Sequence, residues 1–229
     1  MDPTPAVPAL ALFSLAGQNV LITGATRGIG AACAIALAEA GANICLVRRP
    51  AAAGVAQTND DTTTAITALG RTVKTVECDL ADLDVVKGLF QQALDAMGGE
   101  IHVLVNCAGI QRRSPAVQFP ENDWDDGGFT VPAYAAAKGA LGQLTKALSN
   151  EWSAHNVQVN GICPGYIATD MNEKLLADPV RLRQISERIP AGRWGQPRDF
   201  AGPVVFLASA ASQYVCGELL VVDGGWMGR

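Results

Sequence analysis

NVLITGATRGIG, residues 19–30, decides the fold. Its first five residues form a continuous apolar, β-branched run, which reads as a buried parallel strand. TGATRGIG (23–30) follows at once and opens GIGAACAIALAEAG (28–41), whose apolar residues recur at helical spacing and stop at Gly41. Gly24, Gly28 and Gly30 let backbone amides approach a phosphate group where the positive end of the helix favours negative charge. The spacing is G-x-x-x-G-x-G, not G-x-G-x-x-G, so the placement between strand and helix carries the reading.

The same alternation continues along the chain. NICLV (43–47), TVKTVEC (72–78) and IHVLVN (101–106) read as further buried parallel strands. Helices are expected near 58–69, closed by Gly70, and near 83–97, closed by Gly98 and Gly99. Later come a helix near 133–153, a strand at 156–162, a helix near 198–208 and a last strand at 218–223. Strands alternating with helices give an α/β, doubly wound, Rossmann-like parallel sheet. The expectation is a single nucleotide-binding domain over 1–229, with the proline-bearing residues 1–12 as a loose arm.

With 229 residues, 49% hydrophobic and 17% charged, the chain can bury one large core. A net charge of -5 gives no basic field for nucleic acid or an anionic membrane. No apolar run reaches the roughly 20 residues of a membrane helix, and the N-terminus lacks a positive signal-peptide region. Cysteines at 33, 45, 78, 107, 163 and 216 form no CxxC pair. They read as buried reduced thiols, which suits the cytoplasm. His102 and His155 are too few for a histidine-rich metal site and read as structural, so no metal is expected.

A second motif, Tyr134-x-x-x-Lys138, lies in an alanine-rich helical run. Residues four apart share a helix face. A lysine ammonium beside a phenol favours phenolate, so Tyr134 can exchange a proton with a substrate hydroxyl.

The glycine loop, Asn106-Cys107-Ala108-Gly109, Tyr134-x-x-x-Lys138 and Pro164-Gly165 together resemble the short-chain dehydrogenase/reductase family, from about residue 13 to 229. The resemblance implies that Thr23, Gly24, Thr26, Arg27, Gly28, Ile29 and Gly30 form the cofactor loop. Asp79, with Leu80 beside it, would hold the adenine. Asn106, Ala108 and Gly109 would line the adenosine ribose. Pro164, Gly165, Ile167 and Thr169 would meet the nicotinamide end, and Lys138 its ribose.

Cofactor choice follows from the end of the second strand, where NAD users carry an acid. Here the residues are Val47-Arg48-Arg49, and Arg27 sits in the glycine loop. Such guanidinium groups can grip a 2′-phosphate, so NADP is expected, with NAD as the alternative.

RIPAGRWGQPRDFAGPVVFLAS (188–209), VDGGWMGR (222–229), IQRRSPAVQF with ENDWDD, and NEWSAHNVQVN are similar to the 2-deoxy-D-gluconate 3-dehydrogenase branch, also described as 2-dehydro-3-deoxy-D-gluconate 5-dehydrogenase. That resemblance implies a sugar-acid substrate. Arg112, Arg113 and Arg193 are then candidate carboxylate partners, since arginine binds a carboxylate through two parallel hydrogen bonds. It also implies a homo-oligomer.

One departure stands out. In the family, E-x-x-W-D begins a long helix carrying a catalytic Asn, then a strand ending in a catalytic Ser. Here ENDWDD runs straight into GGFTVPAY, and only nine residues separate Trp124 from Tyr134. The expectation is an internal deletion of one helix and one strand, about 30–40 residues, with neither family Asn nor family Ser present. Oligomerisation and catalysis should both suffer.

Overall fold

The computed structural model describes residues 7–51, 59–109 and 131–229. Its contacts divide into two compact units, one of residues 1–107 with 196–213, the other of 108–195 with 214–229.

The first unit holds β1 (Asn19–Thr23), α1 (Gly28–Glu39), β2 (Asn43–Arg48), α2 (Asp61–Ala68), β3 (Val73–Glu77), α3 (Leu83–Ala96) and β4 (Val103–Asn106). The sheet order is β3-β2-β1-β4, all parallel. Side chains alternate across a strand. Leu21, Cys45, Val47 and Val76 pack with Leu89 and Ala93 of α3. Helix α1 is apolar almost all round because it is covered on several sides. It touches β1, β2, α2 and a further helix, α7 (Ala201–Ala208). Arg198 ties the 3-10 turn before α7 to Glu39 at 2.8 Å.

The second unit holds α4 (Val131–Trp152), β5 (Gly161–Pro164), α5 (Glu173–Leu176), α6 (Pro179–Arg188) and β6 (Leu219–Val222). β5 and β6 pair in parallel. The helix lies on this pair through small residues at helical spacing. A Cβ at Gly142 would meet Leu219 at 3.2 Å, while Thr145 and Ser149 are buried on the same face. Leu219 would also meet a Cβ at Gly161 at 2.8 Å.

Several expectations shift. The strand foreseen at 156–162 begins only at Gly161. Asn156 adopts left-handed φ 59 to end the preceding turn. Asn160 then spends its side chain on Val215 O and Glu218 N–H, holding a loop and not a ladder. β4, expected to be buried, alternates between half-buried and exposed, with Leu104 52% exposed. Among the described residues its only ladder partner is β1. In the expected loose arm, Ala9–Phe13 make a 3-10 turn, and Phe13 meets Phe206 with ring centroids 6.3 Å apart. Residues 1–6 of that arm lie outside the described residues. Helices α5 and α6 escaped the sequence pattern, although Asp178 caps α6 through the amides of Val180 and Arg181.

The cysteines divide. Cys33, Cys45 and Cys78 are buried, Cys107 and Cys163 half-buried, and Cys216 exposed, contrary to the uniform burial expected. Cys216 lies outside any strand or helix. His102 is structural as expected: its Nδ1 accepts the Asn19 N–H at 3.0 Å.

Candidate active site

The carboxyl ends of the four parallel strands bring the cofactor candidates of the first unit to one sheet edge. Thr23 is paired in register with Asn106 and with Val47, and Arg48 with Glu77. In open α/β sheets this edge is where ligands bind. Gly24 (φ 67) and Gly28 (φ 58) take left-handed conformations that favour glycine. A Cβ at Gly30 would lie 2.2 Å from the Gly24 carbonyl oxygen. The loop is therefore closed as tightly as a Cβ-free backbone permits. Arg27 is the N-cap of α1 and gives it no side-chain cap. The amides of Gly28, Ile29 and Gly30 have no intrahelical acceptor, as at any helix start. Thr26 is half-buried and Arg27 exposed beside them.

Thr23 is buried, and its Oγ1 accepts the Cys107 N–H at 3.2 Å. That bond fixes where the chain leaves β4, so Thr23 positions the Asn106–Cys107 turn. Asn106, Ala108 and Gly109 are exposed.

The arginines differ from one another. Arg48 Nη1 contacts Asp60 Oδ1 at 3.0 Å and Nη2 contacts Glu77 Oε1 at 3.6 Å. Its Nε is buried with no hydrogen-bond partner among the described residues. Two carboxylates thus already offset its charge. Arg49 is more open, its side chain 66% exposed, and reaches Asp79 Oδ1 at 3.4 Å. Asp79 also accepts the Ala81 N–H at 3.1 Å, with Leu80 exposed in that turn. Sequence reasoning missed the Asp60 and Glu77 clamp. Only the strand register, which sets Glu77 beside Arg48, reveals it.

In the second unit Tyr134 and Lys138 lie in the first turns of α4. Lys138 Nζ stands 5.6 Å from the Tyr134 ring centroid, within cation–π range. Tyr134 is half-buried and Lys138 exposed. Pro164 ends β5, and the Gly165 N–H donates to Val222 O at 3.1 Å. A Cβ at Gly165 would come within 2.7 Å of Asp223, so this position demands glycine. Ile167 is buried and bridges Gly195 in parallel, and Thr169 precedes the next 3-10 turn in an extended conformation with no side-chain cap. Arg193 is exposed and donates to the Trp194 carbonyl at 3.1 Å. Arg112 and Arg113 lie outside the described residues, as does the junction from Trp124 to Thr130.

Burial pushes the Cys33 thiol up to about 12, with Cys107 adding to the effect, and burial alone pushes Cys45 up to about 11. Cys78 is raised too, by burial and then by the Asp79 and Asp82 carboxylates. These are inert thiols, not nucleophiles. Among the described residues no group of three or more His, Cys, Asp or Glu could hold a metal. No helix among them is long and apolar enough to cross a membrane.

Comparison with known proteins settles the family. The short chain dehydrogenase model matches residues 18–127, and a second model, described as enoyl-(acyl carrier protein) reductase, matches 127–227. The 2-dehydro-3-deoxy-D-gluconate 5-dehydrogenase of Pseudoalteromonas atlantica is 42% identical, covering 95% of this chain and 98% of its own. The chain belongs to the short-chain dehydrogenase/reductase family. Another family member, the gluconate 5-dehydrogenase of Gluconobacter oxydans, is 37% identical over 93% of this chain and 96% of its own. Among solved family structures, a gluconate 5-dehydrogenase from Burkholderia cenocepacia, in complex with NADP and tartrate, is 34% identical with a TM-score of 0.85. It covers 97% of this chain and 100% of its own.

The Pseudoalteromonas alignment is 255 positions long, yet 95% of a 229-residue chain supplies only about 218 of them, so roughly 37 positions have no residue here. Both family models stop or start at Gly127. Length and place agree with the expected loss of one helix and one strand from this member of the family.

Proposed function

We propose that this chain is an NADP(H)-dependent oxidoreductase that interconverts a secondary alcohol and a ketone on a sugar acid such as 2-dehydro-3-deoxy-D-gluconate or 2-deoxy-D-gluconate. The observation that carries it is the Gly24–Gly30 cradle at the strand ends, where a Cβ on Gly30 would lie 2.2 Å from the Gly24 oxygen, flanked by arginines where NAD users carry an acid. The relatives named above, which span nearly the whole chain, support the substrate class.

NADP fits this cradle. The amides of Gly28, Ile29 and Gly30 would hold the pyrophosphate, with Gly24 giving the turn and Thr26 and Arg27 beside it. Arg27 and Arg49 would bind the 2′-phosphate, and Arg48, held between Asp60 and Glu77, would supply a weaker share. Asp79 and Leu80 would face the adenine, and Asn106, Ala108 and Gly109 the adenosine ribose. Pro164, Gly165, Ile167 and Thr169 would meet the nicotinamide end. The nicotinamide, when bound, supplies or accepts the hydride.

Tyr134 does the proton work. Its Oη gives a proton to the carbonyl oxygen in reduction and takes one from the hydroxyl in oxidation. Lys138 holds the nicotinamide ribose and keeps positive charge beside the ring. Arg193, with Arg112 and Arg113, would orient the substrate carboxylate. The protein would work in the cytoplasm as a homo-oligomer, weakened by the lost helix.

The junction at Gly127 favours a second reading, a member of the family that binds nucleotide with little turnover. NADPH oxidation against keto sugar acids and neutral ketones separates the two. Under the first reading, sugar acids are turned over and Tyr134→Phe cuts the rate by at least about 10²-fold. NADPH binding with no turnover on any substrate would establish the second, and preference for neutral ketones would overturn the substrate class.

A further inference from the structure

The last seven residues fold back under the stretch that follows β5. The Asp223 carboxylate accepts the Gly225 N–H at 2.8 Å and the Met227 N–H at 2.9 Å, fixing a final 3-10 turn, Trp226–Gly228. From that turn Trp226 sets its ring against Tyr166, with centroids 4.7 Å apart and an edge-on angle of 60°. The Arg188 guanidinium covers the Trp226 ring at 3.9 Å. Arg229 Nη1 donates to the carbonyls of Glu187 and Arg188, both at 3.2 Å. These are the last carbonyls of α6, where a cation also complements the helix dipole. The Ala191 N–H is held by Gly224 O at 2.9 Å.

Tyr166 carries the contact onward. Its ring meets Trp194 at 5.4 Å, and its carbonyl accepts the Gly195 N–H at 2.9 Å. The Ala168 N–H returns to Gly195 O at 2.9 Å. Residues 166–168 are thus clamped to 194–195 from one side, while the Tyr166 ring rests on Trp226. Trp226 is only half-buried, and Met227 and Gly228 beside it are exposed. Trp226 packs with Tyr166 against the small core of Ile185, Ile189 and Trp194, and its ring takes two directed contacts there, from Tyr166 and Arg188.

We propose that Trp226 is a positioning residue. Through Tyr166 and Arg188, the C-terminal hook sets the course of Pro164–Thr169 and so governs how tightly the nicotinamide end of NADP(H) is held. This rests on the reading above that Ile167 and Thr169 face that end. It adds a specific dependence on the chain's last residues, which none of the cofactor contacts themselves contains.

The test uses two ligands on the full chain. NADPH reaches both ends of the cofactor site, whereas 2′,5′-ADP carries only the adenosine and its phosphates. Trp226→Ala should weaken NADPH at least tenfold and leave 2′,5′-ADP within twofold. Trp226→Phe, which keeps a ring against Tyr166, should recover most of the NADPH affinity. Arg188→Gln removes the guanidinium over the ring without touching a buried side chain, and should give a smaller loss of the same kind. Hydrogen exchange at the Ala168 and Gly195 amides should quicken in Trp226→Ala, with β1 and β2 amides unchanged. Equal losses for both ligands, or NADPH affinity unaffected in both Trp226→Ala and Arg188→Gln, would overturn the proposal. A parent chain that binds 2′,5′-ADP and not NADPH would also overturn it. Binding of neither ligand by the parent would overturn the cofactor reading itself, and this inference with it.

Discussion

Gly30→Ala tests the cofactor cradle at its tightest point. The added Cβ would sit 2.2 Å from the Gly24 oxygen and 2.8 Å from its carbonyl carbon. Carbon–oxygen contacts settle at about 3.3–3.6 Å, so loop and helix must part by about 1 Å. Both neighbours are backbone, and no side chain can swing away. A shift of about 1 Å in a positioning group can cost on the order of 10²-fold. A hydrogen bond from one of these amides to a phosphate contributes about 1.5–3 kcal/mol, and losing one alone gives roughly 10- to 100-fold. NADPH should therefore bind about 10- to 100-fold more weakly. Gly202→Ala in α7 is the matched control, since a Cβ there meets nothing within 4 Å. It should leave binding unchanged and stabilise the helix by about 0.5–1 kcal/mol. Titration calorimetry with NADPH, alongside thermal melts, reads both effects. Parental affinity in a natively folded Gly30→Ala chain would refute the cradle.

Arg27→Ala and Arg49→Ala should each reduce the NADPH-over-NADH affinity ratio by about tenfold, as expected for a lost charged hydrogen bond, and Arg48→Ala by less, because Asp60 and Glu77 already hold Arg48. Paired titrations with the two cofactors check the order. The buried thiols make stability fall at high pH. Cys33 and Cys45 hold their protons up to about 12 and 11 in the folded chain, while the unfolded chain releases them near 9. Above that point each thiol costs about 1.4 kcal/mol per pH unit until the folded group also ionises. Urea unfolding at pH 8 and 10.5 should show a loss that shrinks in the Cys33→Ala/Cys45→Ala double variant; an unchanged loss would mean other groups carry it. Restoring a family-length helix and strand between Asp126 and Gly127 should raise both melting temperature and turnover, the latter on the order of 10²-fold if the present geometry is off by about 1 Å. Equal rates with and without the insert would show that the missing unit matters little.

Much of the first unit was legible because its signals are local. The NVLIT run, the three glycines and Gly41 each act within a few residues, and β1, α1 and β2 lie within a residue or two of the expected bounds. Signals that depend on distant partners were not legible. Asn160 looked like a strand residue, and only Val215 and Glu218 show it to be a loop clamp. Arg48 looked like a ready phosphate ligand until the register of β2 against β3 set Glu77 beside it. Thr23 looked like a cofactor contact, and its hydroxyl is engaged with the Cys107 amide. Trp226 stood in the VDGGWMGR motif with no role attached, since its meaning lies in Tyr166, Arg188 and the end of α6.

β4 bears on the loss expected at the junction. Its sequence, VLVN after Ile101-His102, is apolar like β1 and β2, yet its burial is not theirs. Leu104 stands 52% exposed where its counterpart in register, Leu21, is buried. Burying such a side chain fully is worth about 1.5–3 kcal/mol, and an open apolar strand edge is an aggregation hazard. A chain that had lost its covering helix and strand gradually would have exchanged Leu104 for a polar residue, because each step toward exposure would penalise leucine. Here the strand is still written for burial, one family model matches through Gly127, and a second begins at the same residue. Those three facts are what an abrupt loss, not gradual drift, would leave. The binding residues of the first unit are all encoded before the junction, and α1 packs on β1, β2, α2 and α7 within that unit. Nucleotide binding should therefore survive a loss at the junction far better than turnover, which on the proposed reading also needs Tyr134 beyond it.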